Sequence, residues 1–286
     1  MADIQRVGVV GAGLMGSGIA EVHARAGVDV TVAEVNQPAL DAGRARIEKS
    51  LRRAVKAGKL ADEDADAALG RLTFTTDLAS FADRDLVIEA VLEQEQAKVE
   101  VFRSLDEIVE RPDAIFASNT SSIPITRLGT ATSRPQQVIG IHFFNPVPVL
   151  PLVELVPSLL TGEDTIERAD AHVTGSLAKT VIRSPDRAGF VVNALLVPYL
   201  LSAIRMVESG VASAEDVDRG MELGTAHPMG PLRLSDLIGL DTVRAIADSM
   251  YAEFKEPLYA PPPLLLRMVD AGLLGKKSGR GFYTYG

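Results

Sequence analysis

His142 and Glu154 are the residues whose types and spacing most clearly indicate proton-transfer chemistry. His142 follows the apolar run VIGI, and Glu154 lies in the middle of a later apolar run, LVELV. Histidine titrates near neutral pH and can act as a general base, whereas a carboxylate inside an apolar strand needs a partner. If Pro146 and Pro148 turn the chain back, we expect the Glu154 carboxylate to bond one ring nitrogen of His142 and make the other more basic.

Further polar side chains occur where they could meet that pair. The stretch Ser118–Ser122 (SNTSS) follows the apolar run AIFA, and its Asn119 and Ser121 offer an amide and a hydroxyl to a ligand. Asn193 is the one strongly polar residue in the apolar run 190–204. A buried amide requires a hydrogen-bond partner, which for Asn193 is either a ligand or a neighbouring helix.

Gly11, Gly13 and Gly16 form a GxGxxG pattern between a β-branched run and a helical run. In a dinucleotide-binding turn these glycines permit the sharp bend, the approach of a pyrophosphate and close helix–strand packing, respectively. Glu34 ends the next β-branched run, where a carboxylate accepts hydrogen bonds from ribose hydroxyls and repels a 2′-phosphate. The pattern therefore predicts an NAD site, and the alternative is a glycine-rich structural turn.

Lys49, Arg52, Arg53 and Lys56 recur at helical spacing and form the densest basic cluster of a chain with net charge −9. Such a helix face is either solvated or binds the phosphates of an anionic ligand. The acidic net charge argues against a broad nucleic-acid-binding face. The chain has no Cys and only four His, so we expect no disulfide, no Cys nucleophile and no metal site.

The scaffold predicted around these residues alternates strands and helices. Strands are predicted at Arg6–Val10, Val28–Val35, Leu72–Thr75, Asp85–Ala90, Ala114–Ser118 and Val138–Phe144. Helices are predicted at 17–26, 38–60, 62–70 and 98–109. This order is typical of an α/β fold with a doubly wound, mostly parallel Rossmann sheet. The carboxyl ends of such strands line the ligand crevice, so we expect the glycine turn, the SNTSS stretch and His142 at one edge.

The sequence changes character near residue 186. A length of 286 residues suggests roughly two domains, which we place at 1–185 (dinucleotide binding) and 186–286 (all-α). The apolar run 190–204 is shorter than the roughly 20 residues that cross a bilayer, so we predict a buried or dimer-interface helix. The N-terminus shows no signal-peptide pattern, and we expect a cytoplasmic protein that does not bind membranes.

Six motifs in fixed order carry a resemblance that covers nearly the whole chain. They are GAGLMGSGIA, SNTSS, HFFNPVPVLPLVEL, FVVNALLVPYL, HPMGPLRLSDLIGLD and KKSGRGFYTY. The chain resembles the short-chain L-3-hydroxyacyl-CoA dehydrogenases. In length and overall sequence pattern it most resembles the bacterial 3-hydroxybutyryl-CoA dehydrogenases. The resemblance implies NAD-dependent interconversion of (S)-3-hydroxyacyl-CoA and 3-oxoacyl-CoA in fatty acid metabolism. It also implies a homodimer formed through a helical C-terminal domain that binds substrate.

The resemblance assigns roles to individual positions. The catalytic positions it implies are Ser121, His142, Glu154 and Asn193. The cofactor positions it implies are Gly11, Ala12, Gly13, Leu14, Met15, Gly16, Glu34, Ala90, Glu93, Lys98, Asn119 and Ser121. The coenzyme A and substrate positions it implies are Ser50, Arg53, Lys56, Ser121, His142 and Asn193. Pro151 and Ala194 stand where the family usually has Lys and Arg, so the charge near the coenzyme A entrance departs from the family pattern.

Two other functions are compatible with the sequence. One is a sugar-acid dehydrogenase of the L-gulonate type, which would not need the basic helix face. The other is a non-enzymatic NADH-binding protein, in which the His142 and Glu154 side chains would do no chemistry.

Overall fold

The computed structural model describes residues 4–286, which form two compact units. The division falls between Arg187 and Ala188, close to the boundary expected near residue 186. The first three residues of the predicted N-terminal domain lie outside the described part of the chain.

An eight-stranded sheet forms the centre of the first unit. Its strands are β1 (Arg6–Val10), β2 (Asp29–Ala33), β3 (Leu72–Thr75), β4 (Leu86–Glu89), β5 (Ile115–Ser118), β6 (Val138–Phe143), β7 (Leu152–Pro157) and β8 (Thr180–Arg183). Their spatial order is β3-β2-β1-β4-β5-β6-β7-β8. The step from β6 to β7 is antiparallel, and the other neighbouring strands are parallel. This topology confirms the predicted doubly wound, mostly parallel sheet.

Helices accompany the sheet of the first unit. They are α1 (Leu14–Arg25), α2 (Gln37–Lys56), α3 (Asp62–Gly70), α4 (Glu95–Ile108), α5 (Ile125–Gly129) and α6 (Glu163–Ala171). The Asn36 side chain begins α2 by accepting a hydrogen bond from the Ala39 amide, a common helix N-cap. Leu40, Ile47 and Leu51 give α2 one buried apolar face, so its basic residues lie toward solvent or a cavity.

The second unit is helical. Its helices are α7 (Val192–Glu208), α8 (Ala214–Thr225), α9 (Pro231–Ile238), α10 (Leu240–Phe254) and α11 (Pro263–Asp270). Buried Asp236 accepts hydrogen bonds from the backbone amides of Phe282 and Tyr283, which fixes the C-terminal segment of the chain onto this unit. Within residues 4–286, no helix combines the length and apolar character that a membrane crossing requires.

Candidate active site

His142 and Glu154 are direct partners in the antiparallel pairing of β6 with β7. Opposite residues of such a pair project to the same face of the sheet, so their side chains meet. His142 Nδ1 lies 2.7 Å from Glu154 Oε2, and the carboxylate side chain is fully buried. The Phe144 ring packs edge-on against the imidazole, with ring centroids 4.7 Å apart. Because the carboxylate engages Nδ1, proton exchange between His142 and a ligand would use Nε2.

Asn119 joins the ends of two adjacent strands. Its backbone amide donates to the Glu89 carbonyl at the end of β4, and its side-chain Oδ1 accepts a hydrogen bond from the Phe143 amide at 2.8 Å. The loop after β5 is thereby fixed against the end of β6, one residue beyond His142. The structure thus brings the SNTSS stretch and His142 to the same sheet edge.

Glu93 holds the rest of the SNTSS loop in place. One of its carboxylate oxygens accepts hydrogen bonds from the Thr120 hydroxyl, the Ser121 amide at 3.0 Å and the Ser122 hydroxyl at 3.0 Å. The other oxygen lies 3.1 Å from the Lys98 ammonium. Burial favours a raised pKa for Glu93, but the charge of Lys98 and these hydrogen bonds outweigh burial and lower the pKa. Glu93 therefore remains ionised and organises the loop that presents Ser121.

A buried ion pair lies beneath this loop. Lys98, whose side chain is 1% exposed, places Nζ 2.6 Å from Glu89, whose side chain is fully buried. The Ser118 hydroxyl donates to the other Glu89 oxygen at 2.6 Å. Sequence reasoning placed Lys98 among the cofactor contacts and overlooked Glu89. The missed signal was a carboxylate at the end of the apolar run DLVIE, the same signal that pointed to Glu154.

The glycine turn lies between β1 and α1. Gly11 has φ +97° and lies against the Ala90 backbone, so a side chain there would be strained and would collide with the Ala90 carbonyl. A Cβ on Gly16 would come within 1.8 Å of the Gly11 carbonyl oxygen. By contrast, a Cβ on Gly13 would meet no atom within 4 Å. The turn therefore presents open backbone at Gly13, at the N-terminus of α1, where a pyrophosphate can approach.

Glu34 closes this turn on its far side. Its carboxylate accepts hydrogen bonds from the Ala12 amide at 2.8 Å and from the Val35 amide at 3.0 Å. Beside it, the Leu14 and Val35 side chains are mostly exposed. These groups together fit a dinucleotide. The carboxylate can bind ribose hydroxyls, the open backbone can bind phosphates, and the apolar side chains can pack against an adenine ring.

A cavity of about 260 Å³ lies between α1, α2 and the loop that follows β6. Lys49, Ser50 and Arg53 line it from α2, together with residues 145–148 of the loop. Lys56 is not among the lining residues, and Arg52 instead pairs with Asp62 and Asp66 of α3. The basic face predicted on α2 is therefore divided between this cavity and an ion-pair cluster with α3.

The remaining candidate residues lie around these features. Ala90 packs against the glycine turn, where its Cβ would lie 3.5 Å from a Cβ on Gly16. Asn193 belongs to the first turn of α7 in the helical unit, and it is buried there.

Comparison with known proteins gives two family matches. Residues 6–187 match the NAD-binding domain of 3-hydroxyacyl-CoA dehydrogenase, and residues 189–285 match the C-terminal domain of 3-hydroxyacyl-CoA dehydrogenase. A 3-hydroxybutyryl-CoA dehydrogenase from Mycobacterium tuberculosis is 66% identical over 286 residues, which cover both chains completely.

Two solved structures show the same architecture. The crystal structure of M. tuberculosis FadB2 is 65% identical in sequence and has a TM-score of 0.99, with both chains covered completely. The (S)-3-hydroxybutyryl-CoA dehydrogenase PaaH1 from Ralstonia eutropha is 44% identical and has a TM-score of 0.93, with 99% of this chain and 100% of that chain covered.

Proposed function

The chain belongs to the 3-hydroxyacyl-CoA dehydrogenase family, and we propose that it interconverts (S)-3-hydroxybutyryl-CoA and acetoacetyl-CoA with NAD as the redox partner. The full-length similarity to 3-hydroxybutyryl-CoA dehydrogenases supports the four-carbon substrate. The observation that carries the proposal is the hydrogen bond between His142 and Glu154 at the sheet edge that also bears the SNTSS loop.

In this proposal His142 is the general base for alcohol oxidation and the general acid for the reverse reaction. NAD, held by the glycine turn and the Glu34 carboxylate, would supply the acceptor for the hydride that leaves the carbon bearing the hydroxyl. His142 Nε2 takes the hydroxyl proton, and the buried Glu154 carboxylate stabilises the imidazolium that forms. The same carboxylate fixes the tautomer of the ring in the resting state, with the proton on Nδ1.

The surrounding residues position the reactants. Ser121 is presented by the loop that Glu93 holds, and we assign it a hydrogen bond to the substrate oxygen. Lys98 is buried and pairs with Glu93, so we assign it a part in cofactor binding through Glu93. Lys49, Ser50 and Arg53 line the cavity that we assign to coenzyme A. For Asn193 the family resemblance alone supports contact with the substrate.

The homodimer implied by the family resemblance belongs to the same proposal. Leu195, Val211 and Leu223 of the helical unit are each at least 70% exposed, and a subunit interface would remove such side chains from water. Light scattering of the purified protein over a range of concentrations tests this part of the proposal, and a monomeric mass throughout would overturn it.

The central experiment is the loss of NADH absorbance with acetoacetyl-CoA, compared between the wild type and His142→Gln. We expect the wild type to turn over and the variant to lose most of kcat while its affinity for NADH stays near normal. An inactive variant that also fails to bind NADH would contradict the role of His142. A wild type that binds NADH but reduces no 3-oxoacyl-CoA would contradict the proposed activity and favour a binding protein.

A further inference from the structure

Glu89 lies where the sheet changes direction, and the proposed mechanism gives it no part. From the neighbouring strands β1 and β4, the sheet continues to β2 and β3 on one side and to β5 on the other. Glu89 pairs in register with Val10 of β1 and with Ser118 of β5. Val10 directly precedes the glycine turn, and Ser118 begins the SNTSS loop. Glu89 therefore stands between the two segments that meet at the ligand crevice of such a sheet.

Both oxygens of the fully buried Glu89 carboxylate accept hydrogen bonds. Oε1 accepts from the Val91 amide at 2.7 Å and from the Lys98 ammonium at 2.6 Å. Oε2 accepts from the Ser118 hydroxyl at 2.6 Å. The ion pair with Lys98 compensates the buried charge, whereas the other two bonds tie the carboxylate to the chain on either side of the switch point.

One oxygen fixes the surface on which the glycine turn rests. A Cβ on Gly11 would lie 2.6 Å from the Ala90 carbonyl oxygen and 3.1 Å from the Val91 nitrogen. The peptide group between Ala90 and Val91 thus packs directly against the turn. Because the amide of that peptide group donates to Glu89, the carboxylate determines where the turn lies.

The other oxygen fixes the SNTSS loop from beneath. The Ser118 hydroxyl, which donates to Glu89, accepts a hydrogen bond from the Thr120 amide at 3.1 Å. On its other side, the Thr120 hydroxyl donates to Glu93. A continuous series of hydrogen bonds therefore runs from Glu89 to the residue next to Ser121.

We propose that Glu89 is a positioning residue that aligns the glycine turn with the loop presenting Ser121. Small errors in the placement of two reactants cost a large part of the rate, so one rigid group shared by both segments favours catalysis. Glutamine has the same shape but only one acceptor oxygen, and it cannot satisfy donors on both sides. The inference rests on the proposed function, because it assigns both segments to one reaction.

Two variants separate the two sides of the carboxylate. Ser118→Ala removes the contact with the loop and leaves the ion pair intact. We expect kcat to fall about 10-fold, as for the loss of one hydrogen bond, with NADH affinity within about twofold of the wild type. Glu89→Gln should lower kcat at least as much and also weaken NADH binding about 10-fold, because the Val91 peptide group is no longer held.

Ser158→Ala is the matched control. Ser158 is a buried serine that follows β7, and its hydroxyl likewise accepts the amide of the residue two positions ahead, Leu160, at 3.1 Å. Because β7 runs antiparallel to β6, Ser158 lies at the opposite edge of the sheet. This variant should keep the kcat and the NADH affinity of the wild type.

The readouts distinguish misalignment from a loss of folded protein. Titration of NADH fluorescence counts the binding sites and gives their affinity, and rapid mixing with acetoacetyl-CoA gives the rate of NADH oxidation per bound cofactor in a single turnover. Partial unfolding would reduce the number of sites and leave the rate at each site unchanged. Misalignment lowers the rate at each site.

Two results would overturn the proposal. If Ser118→Ala oxidised bound NADH as fast as Ser158→Ala, Glu89 would not position the loop. If Glu89→Gln bound NADH as tightly as the wild type, Glu89 would not position the glycine turn. Should thermal melting show that Glu89→Gln does not fold, the comparison of the two serine variants decides. Failure of the proposed function looks different, because the wild type would then bind NADH without reducing acetoacetyl-CoA.

Discussion

His142 faces Glu154 across the antiparallel step of an otherwise parallel sheet, with Nδ1 2.7 Å from the carboxylate. Strand pairing alone brings the two side chains together, because directly opposite residues share a face. The acid–base pair is thus built into the backbone hydrogen bonding of β6 and β7, and its geometry does not depend on a mobile loop.

Glu154→Gln tests the charge in this pair while keeping the shape of the buried side chain. We expect kcat to fall roughly 100-fold or more, because the amide cannot stabilise the imidazolium as a carboxylate does. NADH affinity should stay within about twofold, since Glu154 is not in the glycine turn. Steady-state kinetics and NADH fluorescence titration measure the two quantities. Glu163→Gln, an exposed change at the start of α6, is the control, and a kcat equal to that of the control would refute the role of Glu154.

Gly13→Ala and Gly16→Ala should differ in their effect on stability. Gly13 has φ −63° and open space around its missing Cβ, so Gly13→Ala should change the free energy of unfolding by less than about 0.5 kcal/mol. Its methyl group would nevertheless occupy the path of the pyrophosphate, and we expect NADH affinity to fall about 10-fold or more. Gly16→Ala should lower the melting temperature as well, because its Cβ overlaps the Gly11 carbonyl.

Gly70→Ala provides the matched control for these two variants. Gly70 is the last residue of α3, and a Cβ there would meet no atom within 4 Å. It should leave both melting temperature and NADH affinity close to those of the wild type. An unchanged NADH affinity in Gly13→Ala would show that the cofactor does not approach the turn at this point.

Lys98→Met should destabilise the first unit strongly. The substitution leaves the fully buried carboxylate of Glu89 without its cation, and breaking a buried pair in this way costs about 3–5 kcal/mol. The double variant Lys98→Met/Glu89→Gln should recover part of that loss, because it removes the stranded charge. Urea unfolding of the single and double variants measures the coupling. Additive losses would mean that the two groups do not stabilise each other.

Because His23 and His172 are buried, we expect the folded protein to lose stability in mild acid. Burial, together with the nearby His172, lowers the pKa of His23 to about 3, and burial lowers the pKa of His172 to about 4. In the unfolded chain both titrate near 6.5, so below that pH the unfolded state takes up protons that the folded state excludes. Stability is therefore complete above about pH 6.5 and falls as the pH drops toward 4, by roughly 1–3 kcal/mol per pH unit.

His172→Phe isolates this effect. It keeps a ring stacked on His23, whose centroid is 5.2 Å from that of His172, and removes one of the two titrating groups. Urea unfolding at pH 6.5, 5.5 and 4.5 should show a clearly shallower loss of stability than in the wild type. His227→Asn, at an exposed position of the helical unit, should leave the pH dependence unchanged. If His172→Phe lost stability with falling pH as steeply as this control, the buried histidines would not be the source of the acid sensitivity.

One physical rule accounts for what the sequence predicted and for part of what it missed. The carboxylate inside LVELV requires a partner, and that requirement predicts His142 from the sequence alone. The same requirement at Glu89 would have led to a buried cation. Lys98 could not be identified as that cation from spacing, because only the packing of α4 on the sheet brings its ammonium to β4.

The features that sequence reasoning could not supply join residues that are remote along the chain. Arg25, Arg71 and Lys179 line a cavity of about 460 Å³ and come from α1, from the turn after α3 and from the segment before β8. The stacking of His23 on His172 likewise joins α1 to the segment that follows α6. No periodicity or local motif in the sequence predicts contacts between residues so far apart along the chain. The prediction that the basic residues at 49–56 form one site was incomplete for a related reason. Asp62 and Asp66 of α3 form ion pairs with Arg52 and draw it away from the cavity side of α2.

The antiparallel pairing of β6 with β7 also determines what a change of chain length would do. Residues 144–151 connect the two strands, and residues 145–148 of this connection line the cavity assigned to coenzyme A, so a change of length there would alter the cavity while each strand kept its alignment. One residue added or removed inside β7, ahead of Glu154, would turn the carboxylate to the opposite face and away from the imidazole. A change of length between these strands should therefore alter substrate affinity, whereas one inside β7 should dismantle the acid–base pair.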